Sequence, residues 1–226
     1  MKVLITSGGT KIKIDMVRHI SNMSKGTFGT KIAESFRCEL NPAETDHYVK
    51  FLMARDSKYP SSPFVTKYVY ETFEDYEREL FDLLKNYKPD IVVLAAAVSD
   101  YGVENYVDGK IRSKEELVIR LKPLPKLISR VRDYVPNAVI CGFKLLVNST
   151  EEELQKACLE SLYKNRLDLV VGNDLRDIKN DDHKLLIAHV ENLTIKVDKY
   201  STKNGDVLHD KVMEYCLAKA KERNII

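Results

Sequence analysis

The stretch from Met1 to Gly29 carries the residue types best suited to chemistry on a charged ligand. It opens with Val3-Leu4-Ile5-Thr6-Ser7-Gly8-Gly9-Thr10, a short apolar run that stops in two glycines. That is the form of a buried first strand in an α/β domain, turning sharply where its backbone must approach a ligand. Asn22, Ser24, Gly26 and Gly29 follow just ahead of Ile32, Ala33 and Phe36, which recur at helical spacing. A helix start offers unpaired N–H groups and a positive dipole end, so an anion is its natural occupant. Taken singly, such glycines are turn residues and Ser or Asn are caps. Clustered at the end of a first strand, they predict a phosphate site.

The dinucleotide fingerprint would need Gly-x-Gly-x-x-Gly within one tight turn. Here the glycine after Gly9 is Gly26, so the loop is longer and carries polar side chains. Further on, residues 91–98 (Ile-Val-Val-Leu-Ala-Ala-Ala-Val) read as a strand apolar on both faces and stop at Ser99-Asp100. Ligands of open α/β sheets sit beyond the carboxyl ends of the strands, which places Asp100 in one crevice with Gly8, Gly9 and Asn22. A lone Asp after a strand is otherwise a cap or turn residue. Three small alanines ahead of it leave room for a flat ligand. Residues 101–114 lack apolar periodicity and read as a mobile loop whose tip carries Lys110 and Arg112; alone, such a lysine is simply solvated.

The elements that must position these residues alternate. A helix is predicted over 31–38, closed by Asn41-Pro42, then strands at 48–54 and 65–70 around a loop at 58–63. Thr72 caps a helix with Tyr76, Leu80, Leu83 and Leu84 on one face, which reads as core. A strand at 117–121 and a helix at 126–131, opened by Pro123 and Pro125, come next. A buried strand at 138–142 precedes a helix from the capping box at Thr150 to Lys164. A strand at 167–172 stops at Asn173-Asp174, and 184–190 with 193–197 form a hairpin about Glu191-Asn192. A last helix over about 206–223 is expected to bury Val207, Val212, Tyr215 and Leu217 or their neighbours. The order predicts an α/β fold on a mostly parallel sheet with a C-terminal β-hairpin.

The 226 residues are 44% hydrophobic and 31% charged, with a net charge of +2, so phosphate recognition has to be local and bulk charge points to neither nucleic acid nor a membrane surface. Cys38, Cys141, Cys158 and Cys216 lack Cys-x-x-Cys spacing, and the five histidines show no metal-ligand spacing. Cys141, Cys158 and Cys216 are expected as buried thiols. The chain begins directly with a strand pattern and has no run of membrane-spanning length, so a cytoplasmic location is expected.

The order of motifs resembles phosphopantothenate–cysteine ligase: Thr6-Ser7-Gly8-Gly9-Thr10, then Val17-Arg18, Ile20-Ser21-Asn22, Ser24, Gly26 and Gly29, then residues 95–101 (Ala-Ala-Ala-Val-Ser-Asp-Tyr), Pro125-Lys126-Leu127-Ile128, Gly142-Phe143-Lys144-Leu145 and Asn173-Asp174. The resemblance runs from residue 1 to about 190. It implies a single domain over 1–226: a three-layer Rossmann-like, mostly parallel sheet with helices on both faces. It also implies activation of the 4'-phosphopantothenate carboxylate by CTP or ATP, pyrophosphate release, and displacement of the nucleotide by the amine of L-cysteine in coenzyme A synthesis. By the same resemblance Ser24, Gly26 and Gly29 hold the substrate phosphate, and Gly8, Gly9, Asn22 and Phe143 also contact phosphopantothenate. Asn22, supported by Arg18, stands beside the carboxylate and acyl phosphate. Asp100 takes the ribose, Ala95 and Ala96 contact the nucleotide through backbone, and Lys110 on its loop stabilises the α-phosphate. Residues Pro125, Lys126, Leu127, Ile128 and Phe143 surround the base, Asn173 lies beside phosphopantothenate, and Lys164 reaches the triphosphate. Mg2+ accompanies the triphosphate, and a homodimer with the hairpin region as interface is implied. Arg112-Ser113 after Lys110-Ile111 is less basic than in many bacterial relatives, which leaves the triphosphate contacts open. The flavin-dependent decarboxylase domain often fused ahead of the ligase is absent, so a stand-alone ligase is expected. A nicotinamide-dependent oxidoreductase and a non-catalytic nucleotide-binding domain stay as alternatives.

Overall fold

The computed structural model describes residues 1–40, 48–113, 116–179, 182–191 and 194–225. In chain order the elements are β1 (Lys2–Ser7), β2 (Lys11–Lys13), β3 (His19–Ser21), α1 (Thr27–Glu39), β4 (Tyr48–Ala54), β5 (Val65–Tyr70), α2 (Phe73–Tyr87), β6 (Ile91–Leu94), β7 (Tyr101–Val103), β8 (Leu121–Pro123), α3 (Ile128–Tyr134), β9 (Val139–Leu146), α4 (Glu151–Lys164), β10 (Leu169–Asp174), α5 (Leu175–Lys179), β11 (Lys184–Glu191), β12 (Thr194–Ser201) and α6 (Leu208–Glu222).

One eight-stranded sheet has the order β12-β11-β10-β9-β6-β1-β4-β5. Its strands run parallel from β5 to β10, and the β11–β12 hairpin adds antiparallel at the edge. Period-2 alternation explains how strands apolar throughout are satisfied: Leu4, Val92, Ile140 and Val170 face α2, α3 and α4, while Val3, Ile5, Val93, Cys141 and Leu169 face α1 and α6. The result is the three-layer Rossmann-like arrangement. The strand order reverses between β1 and β6, and at such a switch point the loops diverge and open a crevice.

Strands β4 and β5 fall on the predicted residues, and Thr72 and Thr150 each close a full capping box. The hairpin pairs from Lys184↔Ser201 to Glu191↔Thr194; Asn192 of its turn lies outside the described residues, as do Asn41-Pro42 and Lys114. Other boundaries differ. Strand β6 ends at Leu94, not at residue 98, because the Ala96 N–H turns to Thr6 Oγ1 (3.2 Å) and the Ala97 N–H to Gly8 O (2.8 Å). The strand expected at 117–121 shrinks to β8, which pairs with β7 in a separate ribbon; Leu117 and Val118 are 48% and 74% exposed, so their alternation had no face to bury. Pro123 sits in β8, and α3 begins at Ile128. Helix α1 starts four residues early, at Thr27. Helix α6 buries Leu208, Val212, Cys216 and Ala220, a clean i, i+4 stripe, whereas Val207 is 46% exposed and Tyr215 and Leu217 are half-buried. The β2–β3 ribbon and α5 were not foreseen. Cys141, Cys158 and Cys216 are buried thiols, and Cys38 is exposed.

Candidate active site

The glycines at the end of β1 are there because side chains do not fit. Gly8 has φ +88°, and a Cβ on it would lie 2.6 Å from Ala54 Cβ. A Cβ on Gly9 would lie 2.7 Å from the Asn22 carbonyl oxygen. This contact draws Asn22 onto the switch point, where its Nδ2 donates to Ala97 O at 2.8 Å. Thr10 N–H donates to the same carbonyl at 3.2 Å, and Ser99 N–H donates to Thr10 Oγ1 at 2.9 Å. The first loop and the loop after β6 are thus stitched together, with Gly8, Gly9, Asn22, Ala95 and Ala96 side by side.

Helix α1 begins beside them. Gly26, with φ +70°, occupies its N-cap position, and its carbonyl accepts from Ser7 Oγ at 3.0 Å. Unlike α2 and α4, α1 has no side-chain cap and no acidic residue in its first turn. Its first N–H groups are left for an outside acceptor, next to half-buried Ser24 and to Gly29. A Cβ on Gly29 would lie 2.5 Å from Ser7 Oγ, so the helix start is pressed against β1. Phe28, in the first turn, meets Phe143 edge-on (ring centroids 6.0 Å) and His183 (5.6 Å). Asn173, half-buried, is the penultimate residue of β10, one strand further along the same end of the sheet. Burial and nearby Lys31 hold the His183 imidazole below its ordinary pKa against the pull of Asp177. His183 escaped the sequence reading because one His in a polar loop carries no signal.

The third group is the segment that includes Lys110, which is exposed. It is fastened to the β2–β3 turn. Met16 N–H donates to Gly109 O (3.0 Å), Val107 N–H to Ile14 O (3.2 Å), and Ile111 N–H to Asp15 Oδ2 (3.1 Å). Arg18 NH1 donates to Asp15 Oδ2 (2.5 Å) and to Ile111 O (3.3 Å). Burial raises the Asp15 carboxyl, but N–H donors from Val17, Ile111 and Arg18 and the Arg18 guanidinium outweigh it and bring the pKa down to about 2. Asp15 was missed because its spacing resembles any turn aspartate.

Asp100 forms an ion pair with Lys126 at the mouth of the crevice, each side chain 59% exposed. Leu127 is 3% exposed and part of the core, half-buried Ile128 packs against that core and against Gly142, and Lys126 of the same motif reaches Asp100. Lys164 sits in the last turn of α4, which runs from the carboxyl end of β9 back to the start of β10, so it lies at the opposite end of the sheet.

A family model described as the DNA/pantothenate metabolism flavoprotein C-terminal domain matches residues 1–215. The coenzyme A biosynthesis bifunctional protein CoaBC of Thermococcus kodakarensis is 38% identical over 188 residues, covering 83% of this chain and 44% of that protein. The match therefore spans less than half of that relative's length. Among solved structures, the DNA/pantothenate metabolism flavoprotein from Streptococcus pneumoniae shares the fold with a TM-score of 0.79 at 28% identity, over 98% of this chain and 99% of that one. A Cab2 mutant in complex with phosphopantothenate-cysteine reaches a TM-score of 0.80 at 22% identity, over 99% and 87% of the two chains, a likeness of fold. With a domain model covering nearly its whole length, the chain belongs to the family of the DNA/pantothenate metabolism flavoprotein C-terminal domain.

Proposed function

We propose that this protein is a phosphopantothenate–cysteine ligase, joining 4'-phosphopantothenate to L-cysteine at the expense of CTP or ATP in coenzyme A biosynthesis. The observation that carries the reading is that one short ribbon links the Asn22 amide, bridged to Ala97 at the switch point, with the Lys110 segment, fastened to the ribbon's turn through Asp15 and Arg18. The shared family and the name of the archaeal relative support it.

The chemistry follows from charge. A carboxylate resists an amine at neutral pH until one of its oxygens belongs to a good leaving group. The carboxylate of phosphopantothenate attacks the α-phosphorus, the bond to the β-phosphate oxygen breaks, and pyrophosphate leaves. The cysteine amine then attacks the acyl carbon, and the nucleoside monophosphate departs. The first-turn N–H groups of α1, with Ser24, Gly26 and Gly29, hold the substrate phosphate, and Gly8, Gly9, Phe143 and Asn173 line its approach. Asn22 donates to the acyl phosphate without adding charge. Arg18, its charge offset by Asp15, ties the Lys110 segment to the ribbon through Ile111 O, and Lys110 stabilises the α-phosphate in the transition state. Ala95, Ala96 and the Asp100 carboxylate face the nucleotide, Asp100 releasing Lys126 to accept ribose hydroxyls. Mg2+ enters with the triphosphate as its counter-ion. A homodimer built on the β11–β12 hairpin completes the proposal, since β12 is a sheet edge with unpaired backbone groups.

Pyrophosphate release is to be measured with each triphosphate in turn, with and without phosphopantothenate, and the cysteine adduct identified by mass. Release that requires both substrates, followed by amide formation, is expected; triphosphate binding without turnover overturns the reading. The better triphosphate identifies the cosubstrate.

A further inference from the structure

A buried carboxylate with four donors around it is found outside the groups so far given chemical roles. Asp15 is 1% exposed and lies in the turn of the β2–β3 ribbon, whose outgoing strand leads straight to Asn22. Its two oxygens have separate jobs. Oδ1 accepts from Val17 N–H (2.8 Å) and Arg18 N–H (2.7 Å), contacts that shape its own turn. Oδ2 accepts from Ile111 N–H (3.1 Å) and Arg18 NH1 (2.5 Å), contacts that reach across to the Lys110 segment. Lys110 therefore stands between two fastened neighbours: Gly109 O takes the Met16 N–H at 3.0 Å, and Ile111 is held at both its N–H and its carbonyl.

From this geometry we infer that Asp15 is a positioning residue for the ligase reaction, whose Oδ2 clasps the Lys110 segment to the turn of the β2–β3 ribbon and aligns Arg18 with it. The inference rests on the ligase reading for its kinetic consequence but not for its structural one. An exposed lysine on a loop has many rotamers and many loop conformations, and only backbone anchors on both sides restrict where its ammonium can be. The substitution Asp15→Asn separates the two jobs. The amide oxygen keeps the Oδ1 contacts of the local turn, while an NH2 replaces Oδ2 and confronts two donors, Ile111 N–H and the Arg18 guanidinium. The turn survives and the clasp opens.

The test uses the full chain. For Asp15→Asn, trypsin cleavage after Lys110 and Arg112 and amide exchange in the 107–113 segment are expected to accelerate at least tenfold (about that for loss of a charge-assisted hydrogen bond). A fall in kcat of about 10- to 100-fold, with the KM for phosphopantothenate changed less than twofold, is expected from a misplaced catalytic group. In a Lys110→Gln background the same change should lower kcat by less than a further twofold. Should Asp15→Asn fail to fold, Ile111→Pro, which removes the donor from the other side and leaves Asp15 in place, must reproduce the kcat loss and the faster exchange of Met16 N–H. Unchanged cleavage and exchange overturn the clasp whatever the kinetics; opened cleavage with wild-type kcat overturns its role in positioning Lys110. A wild-type chain that makes no amide product sinks the ligase reading, while the cleavage and exchange results still judge the clasp.

Discussion

Gly29→Ala tests the contact that seats the helix start on the first strand. A Cβ there would lie 2.5 Å from Ser7 Oγ and 2.8 Å from Ser7 Cβ, distances at which an atom must move. Ser7 cannot swing away freely, because its hydroxyl donates to Gly26 O at 3.0 Å and thereby fixes the residue that opens α1. Overpacking costs about 1–3 kcal/mol and loss of that hydrogen bond about 0.5–1.5 kcal/mol. Alanine returns about 1 kcal/mol of helix propensity. The net destabilisation is about 2 kcal/mol, which for a chain of this size lowers Tm by roughly 4–8 °C. The same displacement tilts the first N–H groups of α1 away from the phosphate they are proposed to hold. Hydrogen bonds to a charged group are worth about 1.5–3 kcal/mol, so the KM for phosphopantothenate should rise roughly 10- to 100-fold. Thermal unfolding and initial rates at saturating triphosphate and cysteine measure both. Gly205→Ala is the control: Gly205 also has positive φ (+82°) but no atom within 4 Å of a Cβ, so Tm should fall while KM stays the same. A Gly29→Ala protein with Tm within 1 °C and KM within twofold of wild type would refute both the packing argument and the phosphate assignment.

Other expectations follow from the same geometry. Asn22→Asp exchanges the donor to Ala97 O for a carboxylate facing a carbonyl and the substrate anion; amide product should fall by about 100-fold or more, with the far-UV spectrum retained. Lys110→Gln, at an exposed position, should leave Tm within 1 °C and lower kcat about 100- to 1000-fold, as removal of a charge-stabilising group does. Lys164→Ala should change the triphosphate KM less than twofold, since its helix turn lies at the far end of the sheet; a larger effect would mean that this end also meets nucleotide. Asp15 and Asp174 both have their carboxyl pKa lowered from 3.8 to about 2, each against burial, Asp174 by donors from Ser149, Arg176 and Asn148. Depressed folded-state values stabilise the fold above pH 3.8 and lose that contribution as pH falls toward 2, so these two groups should give a flat stability between pH 5 and 8 and a loss confined to acid. Chemical denaturation across that range checks it, and the acid limb should soften in Asp15→Asn.

Much of the fold was legible in the chain because its signals are local. Apolar runs bounded by turn residues located the parallel strands, and Thr72 with Asp75 and Thr150 with Glu153 marked two helix starts through short-range capping bonds. Where the pattern had no partner to satisfy, it misled. Leu117 and Val118 alternate like a strand yet face solvent, and residues 95–98 are as apolar as the strand before them but turn off to bond with Thr6 and Gly8.

The sequence by itself also determined the chemical vocabulary of the site: glycines where backbone must come close, an amide, an arginine, a loop lysine and a strand-end aspartate. Tertiary structure alone decided which of these meet. The reversal of strand order between β1 and β6 brings Asn22 to Ala97 across 75 positions of chain, and Asp15 reaches Ile111 across 96. It also removed Leu127 to the core and Lys164 to the far end, distinctions invisible in residue type. The physical reason is that composition and periodicity report which faces must be buried, whereas contacts between distant loops depend on the order and direction in which the strands pack.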